Sequence, residues 1–259
     1  MNTILALSQV VIKELYRRKD FYVLFVLTAI ITLLMASANL FHDDKIVRYL
    51  KEICLLLIWL SGLVIAIGTA ARQIPAEREN RTIFPLLAKP VSRAQVVVGK
   101  FLGCWFACGV ALVMFYLFLG LISGSREHEW PVLSYLQALW LQWVFIAVVI
   151  ALVLLGSVIF AAPSSNGTIS FVVVLGIWGL GRYLHQVALQ QAEPIRTLLS
   201  VIYFLIPHLE WYDVRDLVVH SKGLVPWGYC ALASLYGAAY TAFFLVATWL
   251  CFRRKALNK

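Results

Sequence analysis

Charge is scarce in this sequence. Only 14% of its 259 residues are Asp, Glu, Lys or Arg, against 62% hydrophobic, and the mean hydropathy is +0.84. A soluble domain carries about 25% charged residues, so a water-soluble fold is excluded. Residues 21–41, 53–71, 101–123, 130–181 and 223–252 contain no charged side chain at all. A helical span needs about 20 apolar residues, so 130–181 holds two spans and each other window holds one. The runs are continuous, which excludes barrel strands alternating apolar and polar residues in segments of about ten. The sequence therefore predicts an all-α membrane protein with six transmembrane helices, at 21–41, 53–72, 101–123, 136–160, 168–188 and 228–252.

Other absences narrow the function. No G-x-x-x-x-G-K-S/T loop is present, and Gly99-Lys100 is followed by Phe101, so the usual cradle for ATP phosphates is missing. Neither H-E-x-x-H nor paired intramembrane aspartates occur. Gly120-Leu121-Ile122-Ser123-Gly124 faintly resembles a serine-protease turn with His185 as a distant base, but the spacing is wrong. A secondary transporter would need ionisable residues at mid-membrane or broken repeats, and the spans have neither. The first apolar run starts too late, and is too long, for a cleavable signal. Five cysteines (Cys54, Cys104, Cys108, Cys230, Cys251) lie in or beside apolar runs and read as small core residues. Cys104 and Cys108 share a helix face, but no His or carboxylate stands near them in sequence to complete a metal site.

What charge there is lies unevenly. With the N-terminus inside, the inner segments hold 14 Lys and Arg and the outer segments 8, while acidic residues divide 4 inside to 9 outside. Basic residues stay preferentially on the cytoplasmic side, so both termini are expected to be cytoplasmic. The net charge of +9 is thus a topology signal. It flanks spans and forms no soluble basic face, which argues against a nucleic-acid partner.

Residues 1–20 place Ile4, Leu7, Val11 and Leu15 at helical spacing and end in Lys13, Glu14, Arg17 and Arg18. That pattern suits an interfacial helix in the inner headgroup layer; the plainer alternative is a basic flank of the first span. Residues 42–52 read as a solvated outer link. "APSSNGT" reads as a tight inner hairpin, where the glycosylation pattern at Asn166 has no meaning. The outer segment 189–226 contains a second apolar run, too short to cross, that predicts a re-entrant or interfacial helix. Pro207 would end it, and Trp211 and Tyr212 would anchor it at the interface. Arg182 and His185 are the ionisable residues nearest membrane depth; Arg182 either snorkels to the outer surface or, with His185, touches a substrate path.

The exception to the scarcity is "AERENRTIFPLLAKPVSR", residues 76–93. From Arg72 through Lys100 there are eight charged residues, whose burial in lipid would cost about 20 kcal/mol or more. The segment 73–99 must lie outside the membrane. Pro75 suits a helix's first turn, Glu77 and Glu79 sit near the positive end of its dipole, and Pro85 and Pro90 divide the rest of the segment into stiff pieces. "IFPLL" is too apolar for a solvated loop. It wants a partner surface, or else Leu86 and Leu87 fold back on the chain's own spans.

"ERENRTIFPLLAKPVSRAQVVVGK" resembles the signature of type-2 ABC transporter permeases, closest to the branch with the nitrous-oxide-reductase maturation and gliding-motility permeases. The six-span plan, interfacial first helix and outer apolar run are similar too, over nearly the whole length, so that 1–259 is one permease domain. The resemblance implies that 73–99 is a coupling helix docking on a separate ABC ATPase. Glu77, Arg78, Glu79 and Arg81 would supply charged contacts, Thr82, Leu86 and Leu87 packing, and Pro90 to Arg93 a rigid return. It implies two permease copies and two ATPase copies, ATP and Mg on the ATPase and no cofactor or catalysis on this chain. It further implies export from the inner membrane. A force-transmitting anchor for an outer, periplasmic partner is the alternative. Many members of that family carry Gly where Arg81 stands and no Pro at 85, a departure that bears on where the helix ends.

Overall fold

The computed structural model describes residues 2–17, 19–37, 45–79, 92–127, 131–190, 192–193, 195–219 and 223–254. Among them every regular element is helical. The helices are α1 (Asn2–Arg17), α2 (Lys19–Ser37), α3 (Lys45–Ala70), α4 (Pro75–Glu79), α5 (Arg93–Glu127), α6 (Val132–Ile159), α7 (Pro163–Gln190), α8 (Ile195–Leu205), α9 (Arg215–Val219) and α10 (Trp227–Arg254). A 3-10 turn at Leu209–Tyr212 joins α8 to α9.

Among the described residues, five stretches are long and apolar enough to cross a bilayer: Arg48–Glu77, Arg93–Ser125, Val132–Ile159, Pro163–Gly181 and Trp227–Arg253. They correspond to the expected second to sixth spans. The expected first span falls on α2, whose apolar part is the shorter stretch Tyr22–Leu33; residues 38–41 of that expectation lie outside the described residues. Helix α3 starts earlier than 53, so part of the expected outer loop is helical, with Leu50 and Lys51 both buried.

Helix α6 is the axis of the bundle. Its Ile146, Ile150, Ala151 and Val153 are fully buried, and α3, α5, α7 and α10 surround it. With lipid as apolar as the side chains, polar ties and close approaches must hold such helices together. Gln142 on α6 accepts from the Tyr116 hydroxyl of α5 at 2.8 Å and donates to the Ile58 carbonyl of α3 at 3.4 Å. Trp105 on α5 and Trp143 on α6 each donate to the other's backbone carbonyl, at 3.0 and 3.1 Å, with rings stacked 4.5 Å apart. Thr28 and Thr32 tie α2 to Ser61 and Cys54 of α3.

The outer run forms α8 and stops before Pro207, as a residue without an amide hydrogen requires. Tyr212 does not sit at a lipid interface as expected. It is buried against the bundle, where its hydroxyl donates to the Ala233 carbonyl of α10 at 2.9 Å. Gln137 pins the following loop by exchanging two 3.0 Å bonds with Val225.

Candidate functional site

The charged insert begins where α3 ends. Beyond Ala70 the chain turns, with the Gln73 amide bonded to the Ala70 carbonyl, and Pro75 opens α4. Ile74 in that turn is buried with Val97, Val158 and Phe252, a small cluster fed by α5, α6 and α10. Helix α4 is therefore rooted at the meeting point of three spans.

Lys100 completes the root. Its side chain is 4% exposed, and its ammonium donates to Gln73 O at 2.6 Å, Gln73 Oε1 at 3.4 Å and Glu77 Oε1 at 2.7 Å. An ammonium has three donors, and these acceptors can engage all of them. A charge buried this deeply persists only when paired and hydrogen-bonded. Among the described residues these partners belong to the α3–α4 turn and the first turn of α4.

The start of α5 collects the other elements. Ser92 and Gln95 form a reciprocal cap: the Gln95 amide donates to Ser92 Oγ at 3.2 Å, and the Ser92 amide to Gln95 Oε1 at 2.9 Å. This cap lets the helix begin at Arg93, ahead of the expected 101. The Arg93 guanidinium then donates to the Phe252 and Arg253 carbonyls at 2.7 and 2.9 Å and lies over the Phe252 ring. It thereby satisfies the negative end of α10. Gly99 and Gly103 face α1: an added Cβ would lie 2.9 Å from Leu7 Cβ and 2.7 Å from Val11 Cβ. The Gly-x-x-x-Gly spacing thus admits α1 at close range.

Asn166 performs the matching task for α7. It is fully buried, and its amide donates to the Val153 carbonyl of α6 at 3.2 Å and the Ala71 carbonyl at the end of α3 at 3.4 Å. Gly156 leaves room for its oxygen, which a Cβ there would strike. Beside this contact, α3, α4 and α7 line an open groove of about 770 Å³ that includes Gly68, Arg72, Ala76, Ser164 and Thr168.

Of the residues expected to act at the site, Glu77 and Arg93 both hold the base of the insert. Arg78 and Glu79 continue α4. Arg81, Thr82, Leu86, Leu87 and Pro90 lie outside the described residues. Arg182 and His185 follow Gly181 on α7, at the end of that helix away from Asn166. Sequence reasoning missed the pairing roles of Lys100, Gln73 and Asn166 and the Gly99–Gly103 seat, although the Gly-x-x-x-Gly spacing and the Ser-x-x-Gln cap are both written in the sequence.

Residues 8–257 match the family model described as ABC-2 family transporter protein. The match takes in nearly all of the chain, from the α1 face packed on α5 to beyond α10. The chain belongs to the ABC-2 transporter family. No curated protein sequence matches it. ABC-2 membership and the long apolar helices make this a multi-pass membrane protein, and family membership implies an ABC ATPase as partner. In this ABC-2 protein the insert's root, seated by Lys100, Arg93 and Asn166, joins α1, α3, α4, α5, α6, α7 and α10 at one end of the bundle.

Proposed function

We propose that this chain is the permease subunit of an ABC exporter, driven by ATP hydrolysis on a separate subunit and not itself an enzyme. Two copies of the chain would pair with two ATPase subunits, which carry the ATP and Mg. The segment 73–99 is the coupling element, facing the cytoplasm with both termini, and α2 is the first of six spans in the inner membrane. The resemblance of residues 77–100 supports a place in the branch with the nitrous-oxide-reductase maturation and gliding-motility permeases.

The observation that carries this reading is the Lys100–Glu77 pair, with its ammonium buried and its carboxylate only partly so. A loop serving only to connect two spans gains nothing from a rigid base, since an exposed turn folds without one. A lever does. Force applied to α4 passes through Lys100 into α5 and through Ala71 and Asn166 into α6 and α7, so a push on the insert tilts spans. The test is charge reversal at the tip of α4. Glu79→Lys should weaken co-purification of the ATPase subunit and its stimulated hydrolysis, with the permease still inserted; unchanged coupling would count against the lever.

A second reading, in which the stroke moves an outer partner and no solute passes, draws on α8. Its Leu198, Val201 and Phe204 are exposed, Phe204 at 72%. Reconstitution with the ATPase in vesicles separates the two: ATP consumed with no solute, lipid or peptide relocated favours the anchor.

A further inference from the structure

The seam between α3 and α7 is open at one end and shut at the other. At the Asn166 end lies the cleft that contains Gly68 and Phe171. Farther along both helices Trp59 and Trp178 close the seam, with ring centroids 4.9 Å apart. Arg215, from α9, covers that closure. Its guanidinium carbon lies 5.5 Å from the Trp59 ring centre and 5.6 Å from that of Trp178. Asp213 holds the same guanidinium by two 2.8 Å bonds, from Nε and Nη2, and only 4% of the Asp213 side chain is exposed.

Packing alone does not call for this arrangement. Leu209, Tyr212, Val218 and Val219 already bury the apolar side of the segment around α9. An apolar plug withdrawn from a seam would leave its apolar surface in water. A guanidinium and a carboxylate that separate are each rehydrated, which offsets much of the contact they lose. The planar guanidinium also fits two indole faces and a two-oxygen acceptor in one geometry, so the contact re-forms in register. Directional when closed and tolerant of water when open, it suits a contact that is broken and remade.

We propose that Arg215, braced by Asp213 against Trp59 and Trp178, is a latch that shuts the outer end of the α3–α7 seam, and that its withdrawal connects the inner cleft with the outside. The latch rests on the permease reading and on the orientation given by the basic residues. It adds to that reading a named barrier between the cleft and the outer face.

The experiment uses the full chain in right-side-out and inverted membrane vesicles. Cys251, the exposed native cysteine, is replaced by Ser, and Gly68→Cys is introduced as a reporter in the cleft, where an added Cβ meets nothing within 4 Å. The probe is a charged, membrane-impermeant thiol reagent. With the latch intact the reporter should react in inverted vesicles and at least tenfold more slowly in right-side-out vesicles. Arg215→Ala should raise the rate in right-side-out vesicles about tenfold and leave inner labelling in place, which also shows that the variant is folded. Asp213→Asn, nearly isosteric, should act in the same direction and keeps the test alive if Arg215→Ala does not insert. An outer rate unchanged in both variants, with inner labelling retained, overturns the latch. A reporter that reacts only from outside, with the latch intact, overturns the orientation beneath it. Labelling needs no ATPase, so a failure of the coupling reading would show elsewhere.

Discussion

The Lys100 ammonium lies 2.7 Å from the Glu77 carboxylate and 2.6 Å from the Gln73 carbonyl, so one span's first turns hold the base of the segment that leaves another. The two partners are unequally sheltered: the Lys100 side chain is 4% exposed and that of Glu77 25%. That asymmetry orders the outcomes of substitution.

Glu77→Ala leaves a buried ammonium with fewer acceptors and should destabilise the protein by about 2 to 4 kcal/mol. Lys100→Met leaves the charge on the more exposed side chain of the two and should cost less. The double variant should resemble Lys100→Met. Thermal unfolding in detergent of the three variants checks the order, and equal losses from the two single changes would contradict it.

Substitution at Gly103 should push α1 off α5. Gly103→Leu places atoms where Val11 Cβ and the Ser8 backbone already stand, and overpacking of this kind costs about 1 to 3 kcal/mol. Gly68→Ala is the control, since its Cβ meets nothing within 4 Å and alanine is favoured over glycine in a helix by about 1 kcal/mol. Proteolysis of the N-terminal segment should accelerate in the first variant alone.

Asn166→Leu should remove the link between the end of α3 and α7 and leave the Ala71 and Val153 carbonyls without this donor. The expected loss is about 1 to 3 kcal/mol. If the link transmits force, stimulation of ATP hydrolysis in the complex should fall further than that loss of folded protein explains. A stimulation that tracks the folded fraction would assign Asn166 to stability alone.

Arg93→Lys keeps the charge beside the end of α10 but gives up the fork that reaches two carbonyls and the plane that covers Phe252. The cost should be about 1.5 to 3 kcal/mol, the contribution of one hydrogen bond to a charged group. Limited proteolysis after Phe252 should quicken, and an unchanged digestion rate would show that Arg93 does not hold this end.

The long helices were legible because each contains a stretch that lipid alone can solvate, and the charge-free windows mark those stretches. Their ends were not. Helix α5 begins at Arg93 because Ser92 and Gln95 cap it, a signal present in "SRAQ" but outweighed by the charges around it. Asn166 read as a turn former, since sequence does not show that the hairpin closes over it and buries it. Lys100 and Glu77 stand 23 residues apart, and Arg215 is distant in sequence from both Trp59 and Trp178. Such pairs depend on how helices come together, which composition and spacing do not encode.

In the proposed permease, the segment 73–99 meets an ATPase on the inner face. A cysteine introduced at Asn80, just beyond α4, probes that contact when the complex is treated with a short bifunctional thiol cross-linker. A covalent product with the ATPase subunit should form, and an impermeant reagent should label the site from the inner face only. Labelling from the outer face, or an intact complex that yields no such product, would contradict it.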